Sequence, residues 1–325
     1  MPSSSKSISY RVGGLLYTPA TREGLAKKIV NQSIPGLMSI ALCLEDSIKD
    51  DCLPQAEKQL LKTMVELRDS NAAPDNLPLV FVRVRTPEHM RKIVNMLIDA
   101  DALPTGFIFP KFDVSNAEEY LRILNECQPT GQAPLFGMPI LESRLIADLG
   151  NRVAMLEEIK RALDSSKELI LNVRVGGNDL SNMYGLRRTT SQTVYDIGVV
   201  RDILANIINI FGADYVVSGP VWEYFGRDAN GGWAIGLKRE IELDLLNGFV
   251  GKTAIHPCQL PVINDALKVR KADYEDAKSI ASWNTQTVAV ARSYSGDRMN
   301  ELKCHFKWAE KTLALAEVYG IREAV

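Results

Sequence analysis

Short apolar runs with strand character alternate with helix-length amphipathic segments along this chain of 325 residues. Eight strands are predicted, at residues 15–20, 39–46, 79–85, 106–112, 135–143, 168–177, 213–220 and 252–257. Helices are predicted between them, at residues 54–67, 87–98, 116–126, 152–163, 199–211, 237–246 and 261–271. This alternation favours an α/β fold, a TIM (β/α)8 barrel. An open doubly wound sheet shares the pattern, but no Gly-x-Gly-x-x-Gly motif opens the first strand–helix turn.

The chain continues well beyond the eighth predicted strand. We therefore expect a barrel domain over residues 1–271 and a helical C-terminal extension over residues 272–325. Within the extension, residues 274–291 and 301–319 have helical patterns. The second of these helices carries an apolar stripe that must be buried against something. The extension is therefore expected to form a lid over a barrel mouth or a contact with a second subunit.

Composition narrows the classes of partner. The net charge of −2 provides no electrostatic basis for binding nucleic acid or an anionic membrane, so small molecules are the expected partners. The five cysteines are scattered and lack Cys-x-x-Cys spacing, which argues against a disulfide framework or a zinc site. No apolar segment approaches the length of a membrane span. We expect a cytoplasmic protein.

Charged residues end many of the predicted strands. In a barrel, the carboxyl ends of the strands carry the catalytic groups, so these residues are the site candidates. They are Glu45, Asp46, Arg83, Arg85, Lys111, Glu142, Asp179 and His256. Of these, His256 is more typical of a hydrogen-bonded structural residue than of a base.

Glu142 and Asp179 end the fifth and sixth predicted strands. Neighbouring strands lie about 5 Å apart, so two acids at the same end can share one hard divalent cation. Two carboxylates plus water suit Mg2+, which keeps much of its hydration. Two structural interpretations remain open: either acid could be a salt-bridged rim residue, and Asp179 could cap the helix that follows it.

Arg83 and Arg85 have the same strand parity, so both guanidinium groups are expected to point the same way and to bind a carboxylate or oxyanion. Alternatively, they pair with Glu45 and Asp46 as a structural rim. Lys111 is a further candidate for substrate binding. A Schiff base on Lys111 would require desolvation or cationic neighbours to make the amine nucleophilic.

Six short motifs occur in the order seen in citrate lyase beta-subunit-like proteins. They are Leu44-Glu45-Asp46, Val82-Arg83-Val84, Phe109-Pro110-Lys111, Ile140-Leu141-Glu142-Ser143, Gly176-Gly177-Asn178-Asp179-Leu180 and the run from Gly251 to Gln259. The chain thus resembles the HpcH/HpaI aldolase and citrate lyase superfamily. More narrowly, it resembles the branch called C–C bond lyase of the TIM-barrel fold, whose genes often accompany tellurite-resistance and stress clusters.

The resemblance implies a Mg2+-dependent carbon–carbon lyase or aldolase that acts on a short hydroxy- or oxo-acid or its thioester, with CoA as a candidate carrier. It implies that Glu142 and Asp179 hold Mg2+, that Arg83 binds a substrate oxygen, and that Glu45 and Asp46 order water or neighbouring groups. Related lyases bury the extension between subunits, which implies a homo-oligomer. Asn300 stands where related malyl-CoA lyases carry an acid, so the alternative is a non-catalytic protein that binds metal and small acids in a stress-response gene cluster.

Overall fold

The computed structural model of the protein describes residues 5–283 and 289–323, and the expected eight parallel strands are all present in it. The strands of the large sheet are β1 Gly14–Pro19, β2 Ser39–Cys43, β3 Leu79–Arg83, β4 Gly106–Phe109, β5 Phe136–Leu141, β6 Val173–Val175, β7 Val217–Ser218 and β8 Lys252–Ala254. Most of these strands end two or more residues before the predicted end. The residues beyond them are loop residues that carry much of the candidate site.

Helices follow the strands as the sequence predicts. They are α1 Ser5–Arg11, α2 Leu25–Val30, α3 Leu53–Arg68, α4 Pro87–Asp99, α5 Ala117–Glu126, α6 Arg144–Ala147, α7 Arg152–Asp164, α8 Gly177–Asn182, α9 Gly198–Phe211, α10 Gly232–Leu246, α11 Gln259–Ala266, α12 Lys271–Ala281 and α13 Leu302–Tyr319. The start of α4 shows how local sequence sets a boundary. The Thr86 hydroxyl accepts the His89 N–H at 3.2 Å, and Pro87 occupies a first-turn position that needs no donor.

The large sheet has the strand order β7-β6-β5-β4-β3-β2-β1-β8, and all of its pairs are parallel. A parallel bridge between Gly219 and Lys252 joins the end of β7 to β8. The hydrogen bond from the Val250 N–H to the Val217 carbonyl, at 2.8 Å, supports this closure. The predicted TIM (β/α)8 barrel is therefore confirmed. Strands β2 and β3 are buried along their whole length, as expected for strands covered on both faces.

The described chain forms two compact units. One comprises residues 12–263, which include the barrel, and the other comprises residues 1–11 with 264–325. This division falls a few residues before the expected boundary at 271, and it groups the N-terminal helix α1 with the C-terminal extension. The domain ranges of the sequence analysis stay a prediction.

The second unit packs helix α12 against helix α13 around Ala277, Ile280 and Ala309. The prediction of one helix over residues 274–291 is wrong in part, because α12 ends at Ala281 and residues 290–292 form a strand, β10 Val290–Arg292. Residues 284–288 of that predicted helix lie outside the described residues. Three further short strands complete this unit: β9 Val269–Arg270, β11 Met299–Glu301 and β12 Ile321–Arg322. No helix within residues 5–283 or 289–323 is long and apolar enough to cross a membrane.

Candidate active site

Glu142 and Asp179 lie at the same end of adjacent strands. Leu141 of β5 pairs with Val175 of β6, so Glu142 is level with Gly176, the residue just after β6. Asp179 lies three residues further on, in the first turn of α8, and does not cap that helix with its side chain. Both acids line one cavity at the carboxyl end of the barrel. The proximity expected from the sequence is therefore present.

Arg83 is the centre of the ionic contacts at this end of the barrel. Its Nη2 lies 2.8 Å from Glu45 Oε2, 3.1 Å from Asp46 Oδ2 and 3.4 Å from Glu142 Oε1. The guanidinium carbon also lies 5.7 Å from the centre of the Tyr17 ring. Burial alone would lower the pKa of Arg83, but the neighbouring Tyr17 and the acids raise it, so the group stays charged. Among the residues that the structure describes, its buried Nε has no hydrogen-bond partner.

Lys111, two residues after the end of β4, contacts two of these acids. Its backbone N–H donates to Glu142 Oε1 at 3.0 Å, and its Nζ lies 2.9 Å from Glu45 Oε1. Lys111 adopts a φ of 49°, which is uncommon for a residue other than glycine. The hydrogen bond with Glu45 raises the pKa of the Lys111 amine. The amine is thus held in its charged form.

The Glu142 carboxylate is almost fully buried, and burial raises its pKa to about 7 although Arg83 opposes the shift. The negative charge of Asp179 contributes to the same increase. On the other side, a Cβ added to Gly176 would lie 2.0 Å from Glu142 Oε2, so only glycine fits at this position. The Glu142 and Asp179 carboxylates together place negative charge at a site that a cation would stabilise.

The donor set fits Mg2+. In the described part of the chain no group of three or more His, Cys, Asp or Glu side chains is arranged around a metal position. Mg2+ does not require such a group, because it is often bound by one or two carboxylates with water and substrate oxygens completing the shell. Glu142 and Asp179 place two carboxylates beside a cavity of about 420 Å3, which has room for water and substrate oxygens as the remaining ligands.

The two remaining acids differ in their access to the cavity. Asp46 lines it, whereas Glu45 is buried beside Arg83 and Lys111. Burial raises the pKa of Glu45. Burial acts in the same direction on Asp46, but a hydrogen bond with Glu45 and the charges of Arg83 and Lys111 outweigh it and hold the pKa of Asp46 below its usual range. Of these two acids, Asp46 is therefore the ionised one that a ligand can reach.

Arg85 does not join this group. Strand β3 ends at Arg83, so the strand parity that paired the two arginines does not extend to Arg85. Its Nε donates to the Leu44 carbonyl at 2.7 Å and its Nη2 to the Ile48 carbonyl at 2.6 Å, and its Nη1 forms an ion pair with Asp50. Arg85 holds the loop after β2 and is absent from the cavity lining, so we leave it out of the proposed site.

His256 has the structural surroundings that the sequence favoured. Its Nδ1 accepts the Cys258 N–H at 3.2 Å, and its ring stacks on Phe225 with a centroid distance of 4.5 Å.

Several residues that line the cavity were not among the site candidates of the sequence. They include Tyr17 on β1, Arg174 on β6 and Thr253 on β8. The one available signal was Arg174, a charge in the middle of the apolar run from Val173 to Val175.

Comparison with known proteins identifies the family. The family described as C-C bond lyase of the TIM-Barrel fold matches residues 6–321. The chain belongs to this family. The predicted resemblance is thereby confirmed, and with it the prediction that the protein is an enzyme of the carbon–carbon lyase class. No curated protein matches the chain.

Several solved structures share the fold at low sequence identity. A citrate lyase from Burkholderia xenovorans LB400 is 19% identical, with a TM-score of 0.68 over 96% of this chain and 93% of that one. CitE from Mycobacterium tuberculosis, solved with magnesium, acetoacetate and coenzyme A, is 17% identical, with a TM-score of 0.61 over 94% and 99%. RipC from Yersinia pestis is 20% identical, with a TM-score of 0.54 over 79% and 95%.

Proposed function

We propose that the protein is a Mg2+-dependent lyase or aldolase that cleaves a carbon–carbon bond in a short hydroxy- or oxo-acid or its thioester. One observation carries the proposal: Glu142 and Asp179 line the same cavity as Arg83, a buried and charged guanidinium. CitE of M. tuberculosis, solved with magnesium and small acids, supports the choice of metal. When bound, Mg2+ would supply Lewis-acid stabilisation of the enolate that forms as the bond breaks.

Arg83 would hold a substrate oxygen. Its Nη2 points into the group of acids, and its charge persists at any physiological pH because the acids raise its pKa. A carbonyl or carboxylate oxygen that becomes more negative during cleavage gains most from such a fixed cation. Glu45 is the positioning residue here, since it contacts both Arg83 and Lys111 without lining the cavity.

Asp46 is the proposed base. In retro-aldol cleavage of an acid whose hydroxyl group lies β to a carbonyl, a base takes the hydroxyl proton, the C–O bond becomes a carbonyl, and the electrons of the C–C bond form the enolate. Asp46 is ionised and its side chain is half exposed beside the cavity, so it can accept that proton. Lys111 is a poor candidate for a Schiff base because Glu45 stabilises its charged form.

The test follows the exchange of methyl protons of pyruvate and of acetyl-CoA for deuterium in heavy water, with and without Mg2+. We expect Mg2+-dependent exchange by the wild type and a rate at least ~100-fold lower for Glu142→Gln. Glu119→Gln, which alters only an exposed pair with Arg122, is the matched control and should exchange like the wild type. Folded wild-type protein that binds Mg2+ but exchanges neither compound would favour the non-catalytic binding protein instead.

Asn300 is the residue that raised this alternative. It is buried, and its Nδ2 donates to Asp276 Oδ1 at 2.9 Å. Asp297 accepts a hydrogen bond from Ser293 Oγ at 3.1 Å.

Proton transfer by the extension, its position as a lid, CoA as the acyl carrier and assembly into a homo-oligomer all stay predictions. Truncation after Lys271 tests the last of these, because loss of the extension should change the sedimentation coefficient beyond the loss of mass.

A further inference from the structure

Arg174 lies within the barrel rather than at its rim. It is the central residue of β6, and it pairs with Ile140 of β5, two residues before Glu142. Its side chain is among the largest fully buried ones, with 1% of its surface exposed, yet it lines the cavity. Arg174 therefore forms part of the floor of the same cavity that has Glu142 and Arg83 at its rim.

The hydrogen-bond partners of Arg174 are all neutral. Its Nη2 donates to Thr253 Oγ1 at 2.7 Å, its Nη1 lies 3.4 Å from Asn172 Oδ1, and Tyr17 is a further hydrogen-bonding neighbour. Its buried Nε has no hydrogen-bond partner in the described part of the chain. Within the described ranges no carboxylate forms an ion pair with it. A guanidinium in this position bears the cost of desolvation without a compensating charge, and burial lowers its pKa accordingly.

The other buried arginines show that this arrangement is unusual for the chain. Arg83 contacts three acids, Arg152 pairs with Asp202, and Arg188 lies 3.1 Å from Glu240. Each of them has its compensating charge within the protein. A charge without such compensation, facing a cavity of about 420 Å3, is explained best by an anion that arrives with the ligand.

We propose that Arg174 binds a second carboxylate of the substrate on the cavity floor, with Thr253 and Tyr17 beside it. The substrate would then be a short dicarboxylic hydroxy- or oxo-acid whose first carboxylate and adjacent oxygen lie at the rim near Arg83. A carboxylate suits the planar fork of a guanidinium, which can donate two parallel hydrogen bonds. This specificity assignment rests on the proposed function, because the rim must hold the reacting end of the same molecule.

The test compares acids of equal chain length that differ in one carboxylate. L-Malate is paired with 2-hydroxybutyrate, and 2-oxoglutarate with 2-oxopentanoate, and each is titrated calorimetrically in saturating Mg2+. In the wild type we expect the better diacid to bind about 10- to 100-fold more tightly than its partner. Arg174→Gln keeps amide donors but loses the charge, so it should lose this preference and leave the affinity for monoacids unchanged.

Arg152→Gln is the matched control, since it also removes a buried guanidinium but lies outside the cavity lining. It should keep the preference for diacids. Arg174→Lys retains the charge and should keep part of the preference, which provides a second variant if Arg174→Gln fails to fold.

Monoacids that bind the wild type as tightly as diacids would overturn the role of Arg174 while leaving the Mg2+-dependent site in place. Equal weakening of both acids in Arg174→Gln would also overturn it, because that result indicates a structural role. If no acid binds the Mg2+-loaded wild type, the proposed function falls together with this assignment.

Discussion

Two clusters of charged residues in the barrel unit use the same residue types in different ways. The rim cluster comprises Glu45, Asp46, Arg83, Lys111, Glu142 and Asp179. The closed cluster comprises Arg188, Tyr195, Glu240, Asp244 and Lys252. The rim cluster lines or borders the cavity and contains more acids than bases, whereas the closed cluster has two acids and two bases that neutralise one another.

The charged side chains of the closed cluster pair with one another. Lys252 Nζ lies 2.9 Å from Glu240 Oε1 and 2.6 Å from Asp244 Oδ2, and the Tyr195 hydroxyl donates to Asp244 at 2.8 Å. Arg188 completes the network through Glu240. The ionic side chains in it are at most 2% exposed, so water cannot replace a lost partner. Such a network holds α10 against β8.

The difference indicates which cluster can act on a ligand. In the closed cluster every charge is compensated inside the protein, so a ligand could only disrupt it. In the rim cluster Glu142 and Asp179 leave negative charge beside an open cavity, which the proposed cation would balance. Perturbed acids thus mark a functional site only where the excess charge faces accessible space.

The largest effect on stability is expected in the closed cluster. Glu240→Ala leaves Arg188 and Lys252 buried without one of their acids and should lower the free energy of unfolding by about 3–5 kcal/mol. Urea unfolding followed by circular dichroism measures this change. The exposed Glu119→Ala is the control and should cost at most about 0.5 kcal/mol. The Mg2+ affinity of the folded Glu240→Ala protein should match that of the wild type; a parallel loss would mean that the two clusters are coupled.

The rim cluster should respond in the opposite way. Glu142→Gln removes one of the two proposed ligands and should weaken Mg2+ binding by about 100-fold or more, because a neutral amide is a poor ligand for a hard cation. It should leave stability unchanged or slightly higher, since a buried carboxylate with a raised pKa is lost. Calorimetric titration with Mg2+ and thermal melting test the two statements. Unchanged Mg2+ affinity in this variant and in Asp179→Asn would rule out the metal assignment.

Arg83→Lys tests how the rim holds its substrate. Lysine keeps the charge but cannot present the planar fork of a guanidinium to a substrate carboxylate. We expect diacid affinity in saturating Mg2+ to drop about 10-fold, with Mg2+ binding retained. The control is Arg85→Lys. The Arg85 guanidinium bonds to the loop after β2, so this substitution should leave acid binding unchanged. The reverse ranking of the two variants would make Arg85 the substrate residue.

The sequence predicts the barrel and much of its rim for one physical reason. Parallel strands that are covered on both faces are apolar throughout, so a charge at the end of an apolar run marks the carboxyl edge. This reasoning places Glu142, Asp179 and Arg83 at the carboxyl edge, and all three line the cavity there. Strand parity does not place Arg85 with them, because β3 ends at Arg83.

Residues whose role depends on closure of the barrel were not predictable. Arg174 reaches the cavity floor only because β6 curves between β5 and β7 in a closed sheet. Glu240 and Asp244 lie four residues apart on α10, a spacing that in sequence is typical of a solvated helix face. To predict that they are buried against Lys252, one must know which face of α10 lies on β8. Long-range packing decides both cases.

The smallest expected effect is on the pH dependence of stability. It should differ between Asp244 of the closed cluster and an ordinary surface acid. Burial raises the pKa of Asp244 to about 6, although Lys252 opposes the shift. In the unfolded chain an aspartate titrates near its usual value of about 4. The contribution of Asp244 to stability is therefore fully present below about pH 4 and is lost as the pH rises through about 6.

Asp244→Asn has no such titration, so the melting temperature of the wild type relative to this variant should fall by a few degrees between pH 4 and pH 7. Asp196 is the control. Its hydrogen bonds with Thr193 lower its pKa, so its contribution is present above its unfolded pKa and is lost as the pH falls. The melting temperature of the wild type relative to Asp196→Asn should therefore change with pH in the opposite direction. If the difference in melting temperature between the wild type and Asp244→Asn stays constant from pH 4 to pH 7, Lys252 and Tyr195 fully compensate the buried carboxylate.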